Sequence, residues 1–103
     1  MGKKIMIVDD EADIREILAF NLAAAGYETL EAGTGESALI QIRKGAALDL
    51  ILLDVMLPGM SGFKLADTLR KVDGCNIPII FLTARNAEND LLTGFSAGGD
   101  DYI

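Results

Sequence analysis

Apolar positions along the chain fall into short blocks whose period keeps switching. Residues 5–8 form a compact apolar run, rich in β-branched side chains, that stops at Asp9 and Asp10. Ile14, Ile17, Leu18 and Leu22 then stand at i, i+3, i+4 and i+8, the spacing of one helical face. Gly26 follows where a helix end favours a left-handed residue. Residues 27–32 predict a short, partly exposed strand. Thr34 is placed to cap a second helix carrying Ala38, Leu39 and Ile42 on its inward face. Arg43 and Lys44 sit in its last turn, where positive charge suits the helix dipole, and Gly45 ends it.

Residues 48–54 are the most hydrophobic run and again end on an aspartate, Asp54. A near-continuous apolar run of this kind predicts a central strand covered on both faces. Pro58, Gly59, Ser61 and Gly62 mark a loop. Residues 63–72 predict a third helix with Leu65, Leu69 and Val72 inward. Pro78 opens the run 79–82, which ends at Thr83. Asn86 can cap a fourth helix with Leu91, Leu92 and Phe95 on one face, ended by Gly98 and Gly99, and Tyr102 and Ile103 start a further strand. Strand-length and helix-length blocks thus alternate, which predicts an α/β domain with a parallel sheet and helices on both faces. In such sheets ligands bind beyond the carboxyl ends of strands, where the strand order reverses. Asp9, Asp10, Asp54 and Thr83 all fall at that edge.

Composition narrows the chemistry. The 103 residues suit one domain, and half of them are hydrophobic, enough for a core without staples. Nine Lys and Arg against 16 Asp and Glu give a net charge of −7, which argues against a nucleic-acid or anionic-membrane surface. The apolar runs are too short to span a bilayer, and the one that starts the chain stops at Asp9, so no signal peptide is expected. The lack of histidine removes the usual general base and zinc ligand. Cys75 is the only cysteine and has no internal partner, which suits a reducing, cytoplasmic setting. Carboxylates and hydroxyls are left to carry the chemistry.

Singly, each candidate residue has an ordinary explanation. Asp9 or Asp10 can cap the first helix, Asp54 can form a turn, and Thr83 is a β-branched strand residue. Gathered at one sheet edge they mean more. Two carboxylates about 4 Å apart repel by roughly 4 kcal/mol at an effective dielectric near 20. A divalent cation relieves that repulsion, and an all-oxygen site with open water positions suits Mg²⁺. A carboxylate beside Mg²⁺ is also a plausible nucleophile toward phosphorus, with Thr83 able to hydrogen-bond a phosphoryl oxygen. Two rival readings ask for other residues, and the first of them shares the fold. A flavodoxin-like cofactor binder needs a Ser/Thr/Gly-rich phosphate loop after the first strand, where Asp9, Asp10 and Glu11 would repel a phosphate. A Mg²⁺-dependent phosphohydrolase with an aspartyl nucleophile wants a second acid two residues later, where Met56 stands.

Four segments in order resemble the response-regulator receiver domain of two-component signalling. They are Ile7-Val8-Asp9-Asp10-Glu11, Leu53-Asp54-Val55-Met56-Leu57-Pro58-Gly59-Met60-Ser61-Gly62, Pro78-Ile79-Ile80-Phe81-Leu82-Thr83-Ala84-Arg85 and Gly98-Gly99-Asp100-Asp101-Tyr102-Ile103. The resemblance implies a doubly wound, flavodoxin-like sheet of five parallel strands in the order 2-1-3-4-5. It implies that Asp54 accepts a phosphoryl group from a histidine kinase, that Asp9 and Asp10 form the acidic pair at a Mg²⁺ site, with Asp10 favoured as the direct ligand, and that Asp54 and the backbone carbonyl of Met56 complete the protein ligands. Thr83 and Tyr102 match the family's switch pair, and Ala84 a small residue that leaves the site accessible. The stretch around Thr83 and that around Tyr102 resemble the subfamily with winged-helix DNA-binding output domains, which forms homodimers through the fourth helix, fifth strand and fifth helix. The domain itself is not expected to bind nucleic acid or membrane. Gly99 stands where alanine is usual. The family's lysine after the last strand and its final helix would lie beyond Ile103, so residues 1–103 read as a receiver domain incomplete at the C-terminus, with phosphorylation and switching weakened if nothing follows.

Overall fold

The computed structural model describes residues 3–82 and, as a strand, residues 101–102. Strands β1 (Lys4–Val8), β2 (Glu28–Ala32), β3 (Leu50–Asp54), β4 (Ile79–Leu82) and β5 (Asp101–Tyr102) form one sheet in the order β2-β1-β3-β4-β5, as expected. Every neighbouring pair is parallel. Between them run α1 (Ala12–Ala24), α2 (Gly35–Arg43) and α3 (Gly62–Lys71). The predicted fourth helix, with Asn86, Leu91, Leu92 and Phe95, lies outside the described residues.

Alternation along the strands splits the core. Met6 and Val8 on β1 and Ile51 and Leu53 on β3 join Phe81, Ala38, Leu39, Leu65, Ala66 and Leu69 in the larger cluster, beneath α2 and α3. Ile5, Ile7 and Leu52 face the other way and meet Leu18, Ala19 and Leu22 of α1. The apolar runs that end in Asp9 and Asp54 are continuous because both faces of these central strands are covered.

The helix termini follow local chemistry. The Thr34 hydroxyl accepts the Ser37 N–H at 3.0 Å to cap α2, and the Ser61 hydroxyl accepts the Lys64 N–H at 3.1 Å to cap α3. After α1 and α2, Gly26 and Gly45 take positive φ angles of 96° and 94°, where a side chain would strain the turn.

Two inward faces differ from the sequence expectation. On α1, Ile14 and Ile17 are exposed, and the contact with the sheet is made by Leu18, Ala19 and Leu22. The apolar stripe of this helix is wider than the single sheet contact it makes among the described residues. On α3, Leu65 and Leu69 are fully buried, but Val72 is exposed. It lies one residue past the helix, where the chain turns back at Gly74 and Cys75 and Ile77 pack against the core. Cys75 is therefore half-buried.

Candidate metal centre

The strand order reverses between β1 and β3, because β2 pairs on one side of β1 and β3 on the other. Val8 lies opposite Leu53, so Asp9 and Asp54 leave adjacent strands at nearly the same level. That register, set by the buried apolar faces, brings the acids together. One carboxylate oxygen from each of Asp9, Asp10 and Asp54 lies within 4.8 Å of the other two. Asp9 is buried, Asp54 half-buried and Asp10 exposed, so the group opens to solvent on the Asp10 side.

Each acid is held by backbone. Asp9 donates its N–H to the Ala32 carbonyl at 3.1 Å, and its Oδ1 accepts the Glu11 N–H at 2.8 Å. Asp54 Oδ1 accepts the Met56 N–H at 3.0 Å. The alternative in which Asp9 or Asp10 caps the first helix is not what the chain adopts. The residue at the cap of α1 is Glu11, without a side-chain cap bond. Burial raises the Asp54 carboxyl above its ordinary value of 3.8; the Met56 N–H opposes this, and the charges of Asp9, Asp10 and Glu11 add to the rise. An anion strained by neighbouring anions, with oxygen donors alone and an open side, fits a hard divalent cation such as Mg²⁺.

Of the residues singled out from sequence, Asp9, Asp10 and Asp54 converge, and Met56 sits beside them with its side chain exposed. Thr83, Ala84 and Arg85 lie outside the described residues, as do Gly98, Gly99 and Ile103. Tyr102 is described only by its place in β5, opposite Phe81. Two residues at the site escaped the sequence reading. Arg15 donates from Nη1 to the Asp9 carbonyl at 2.6 Å. Gly62, read there only as a loop marker, packs its Cα against the Asp54 and Val55 backbone. For Arg15 the available signal was a lone basic residue in the first turns after three consecutive acids.

Comparison with known proteins points the same way. Residues 5–103 match the family model described as response regulator receiver domain. The chain is 51% identical over 106 residues to the phosphate regulon transcriptional regulatory protein PhoB of Pseudomonas aeruginosa, covering 100% of the chain and 45% of that protein. It thus spans less than half the length of that curated relative. Among solved structures it is similar to the chemotaxis protein CheY4 of Vibrio cholerae, with a TM-score of 0.93 and 31% identity over 100% of this chain and 86% of that one. It is also similar to the response regulator protein TrrA of Thermotoga maritima in complex with Mg²⁺-BeF, with a TM-score of 0.85 and 39% identity over 98% of this chain and 84% of that one.

Proposed function

The chain belongs to the response regulator receiver domain family, and we propose that it is the phosphoacceptor module of a cytoplasmic, transcriptional response regulator, with Asp54 as the acceptor. The observation that carries this reading is the trio of carboxylates, Asp9, Asp10 and Asp54, within 4.8 Å at the carboxyl edge of the sheet. Asp10, Asp9, Asp54 and the backbone carbonyl of Met56 would hold Mg²⁺. When bound, the ion supplies charge neutralisation for the phosphoryl oxygens and for the acids themselves.

The chain's own residues do the rest. Oδ1 of Asp54 is engaged by the Met56 N–H, which leaves Oδ2 to attack phosphorus. The attack forms an O–P bond and breaks the P–N bond to the histidine of the kinase, whose ring nitrogen leaves with the electron pair. Asp9, tied to Glu11 and to β2, keeps the acid pair fixed while this happens. Thr83 would then hydrogen-bond the new phosphoryl group and Tyr102 would turn inward, altering the surface around the fourth helix and fifth strand that meets a second copy. In this role the domain signals and processes only its own phosphoryl group. The residues beyond Ile103 would supply the lysine and closing helix, and a DNA-binding output domain would receive the switch.

The test is direct. Incubated with Mg²⁺ and acetyl phosphate, the protein extended past Ile103 should gain one phosphoryl group by intact mass, and Asp54→Asn should gain none. The absence of an adduct on the wild-type chain, or one that persists in Asp54→Asn, would reject the assignment.

A further inference from the structure

Arg15 takes part in none of the steps above, yet its guanidinium joins three segments of chain. Nη1 donates to the backbone carbonyl of Asp9 at 2.6 Å. Nε donates to Glu31 Oε1 on β2 at 3.2 Å. The group also lies over Gly33, where an added Cβ would sit 3.3 Å from Nη1 and meet nothing but Arg15. The Arg15 side chain is only 19% exposed.

The ion pair with Glu31 does not explain this placement, because that carboxylate is 43% exposed and such pairs contribute little. The bond to Asp9 does. That carbonyl belongs to the peptide joining Asp9 to Asp10. Holding it fixes the peptide plane, and the plane sets the direction in which the chain delivers Asp10. Asp9 is already held at its N–H by Ala32 and at Oδ1 by Glu11. With the carbonyl held as well, the acid pair has little freedom to swing apart under its own repulsion. The exposed Glu31 adds little to this hold, and Gly33 leaves the space the guanidinium occupies. We infer that Arg15 is a positioning residue for the metal site, locking the Asp9–Asp10 peptide so that both carboxylates face Asp54. This rests on reading the three acids as a Mg²⁺ site.

The experiment titrates the ¹⁵N-labelled chain with Mg²⁺ alone. It follows the amide signals of Glu11 and Met56, whose N–H groups bond to Asp9 and Asp54. Urea midpoints are measured in parallel. Wild type should saturate, and Arg15→Met should bind about tenfold more weakly, as when the outer partner of a metal ligand is lost. Arg15→Lys, which keeps a charged donor within reach of the Asp9 carbonyl, should recover most of the affinity. Glu31→Gln should stay near wild type. If Arg15→Met does not fold, Gly33→Val takes its place, since a Cβ at that position meets only the guanidinium. Wild-type affinity in Arg15→Met, or in Gly33→Val where that replaces it, overturns the inference while leaving the Mg²⁺ site standing. Equal weakening in Glu31→Gln and Arg15→Met also overturns it. Failure of the wild-type chain to bind Mg²⁺ overturns the site reading, and the role of Arg15 with it.

Discussion

Gly62 stands against the main chain of Asp54 so closely that a Cβ would overlap the Asp54 carbonyl oxygen. The same glycine opens α3 and donates its N–H to the Val55 carbonyl at 3.0 Å. The strand that delivers Asp54 and the helix that follows it therefore close on each other without a side chain between them. Gly62→Ala should force them apart and lower stability by about 1–3 kcal/mol, the usual cost of overpacking a fitted site. Urea denaturation checks this. The same variant should accept a phosphoryl group from acetyl phosphate more slowly than wild type, because the displaced atom belongs to Asp54.

Asp54 itself gives a prediction with a sign. Its carboxyl is raised above 3.8, chiefly by burial and further by Asp9, Asp10 and Glu11. The folded state thus holds the proton more tightly than the unfolded chain. Below 3.8 both states are protonated and the group is neutral toward stability. As the pH rises from 3.8 through the raised folded value, the folded state alone bears the cost of ionising, and stability falls. In EDTA, Asp54→Asn should therefore unfold at higher urea than wild type at pH 7, with the gap closing as the pH is lowered toward 3.8. Mg²⁺ should reverse the order: at a hundredfold excess over its Kd, binding adds about 2.7 kcal/mol to wild type. A gap that is independent of pH would show that Asp54 bears no such cost.

Much of this was legible in the chain because two kinds of signal agreed. The runs ending in Asp9 and Asp54 are apolar on both faces, so strand, burial and parallel order came together. The acids then converge because register carries the burial pattern to the sheet edge. The Asp9, Asp10 and Asp54 cluster was legible for that reason. Arg15 was not, because its role depends on the Asp9 carbonyl, and every residue has a carbonyl. Gly62 was visible only as a loop residue, since a close backbone approach leaves no mark in sequence beyond the glycine itself. The inward faces of α1 and α3 were misjudged at Ile14, Ile17 and Val72. Periodicity tells which residues share a face but not how far the sheet beneath that face extends.

The two side-chain caps should separate stability from function. Thr34 caps α2 and Ser61 caps α3, each through a hydroxyl that accepts a backbone N–H three residues on. Replacing either with alanine leaves that donor to water and should cost about 1 kcal/mol. Ser61 precedes Gly62, which packs on the Asp54 backbone, whereas Thr34 lies beyond the end of β2. Thr34→Ala should lower the urea midpoint with phosphorylation unchanged, and Ser61→Ala should lower both. Equal phosphorylation rates in the two variants would show that the start of α3 does not influence Asp54.

Burial, rather than the number of polar contacts, should decide which other changes are severe. Arg43 makes two hydrogen bonds to Asp73, at 3.0 and 3.2 Å, tying α2 to the loop after α3. Yet its side chain is 51% exposed, so the guanidinium is solvated with or without the pairing. Arg43→Met should cost no more than about 1 kcal/mol despite the forked geometry. Phe81, by contrast, is wholly buried on β4 and meets Phe63 edge-on at 5.0 Å. Phe81→Ala would open a cavity between the sheet and α3 and should cost about 3–5 kcal/mol, a large share of the stability of a domain this size. Urea midpoints of the two variants, measured together, test the ranking. A larger loss in Arg43→Met than in Phe81→Ala would mean that the α2 edge, rather than the core beneath α3, sustains the fold.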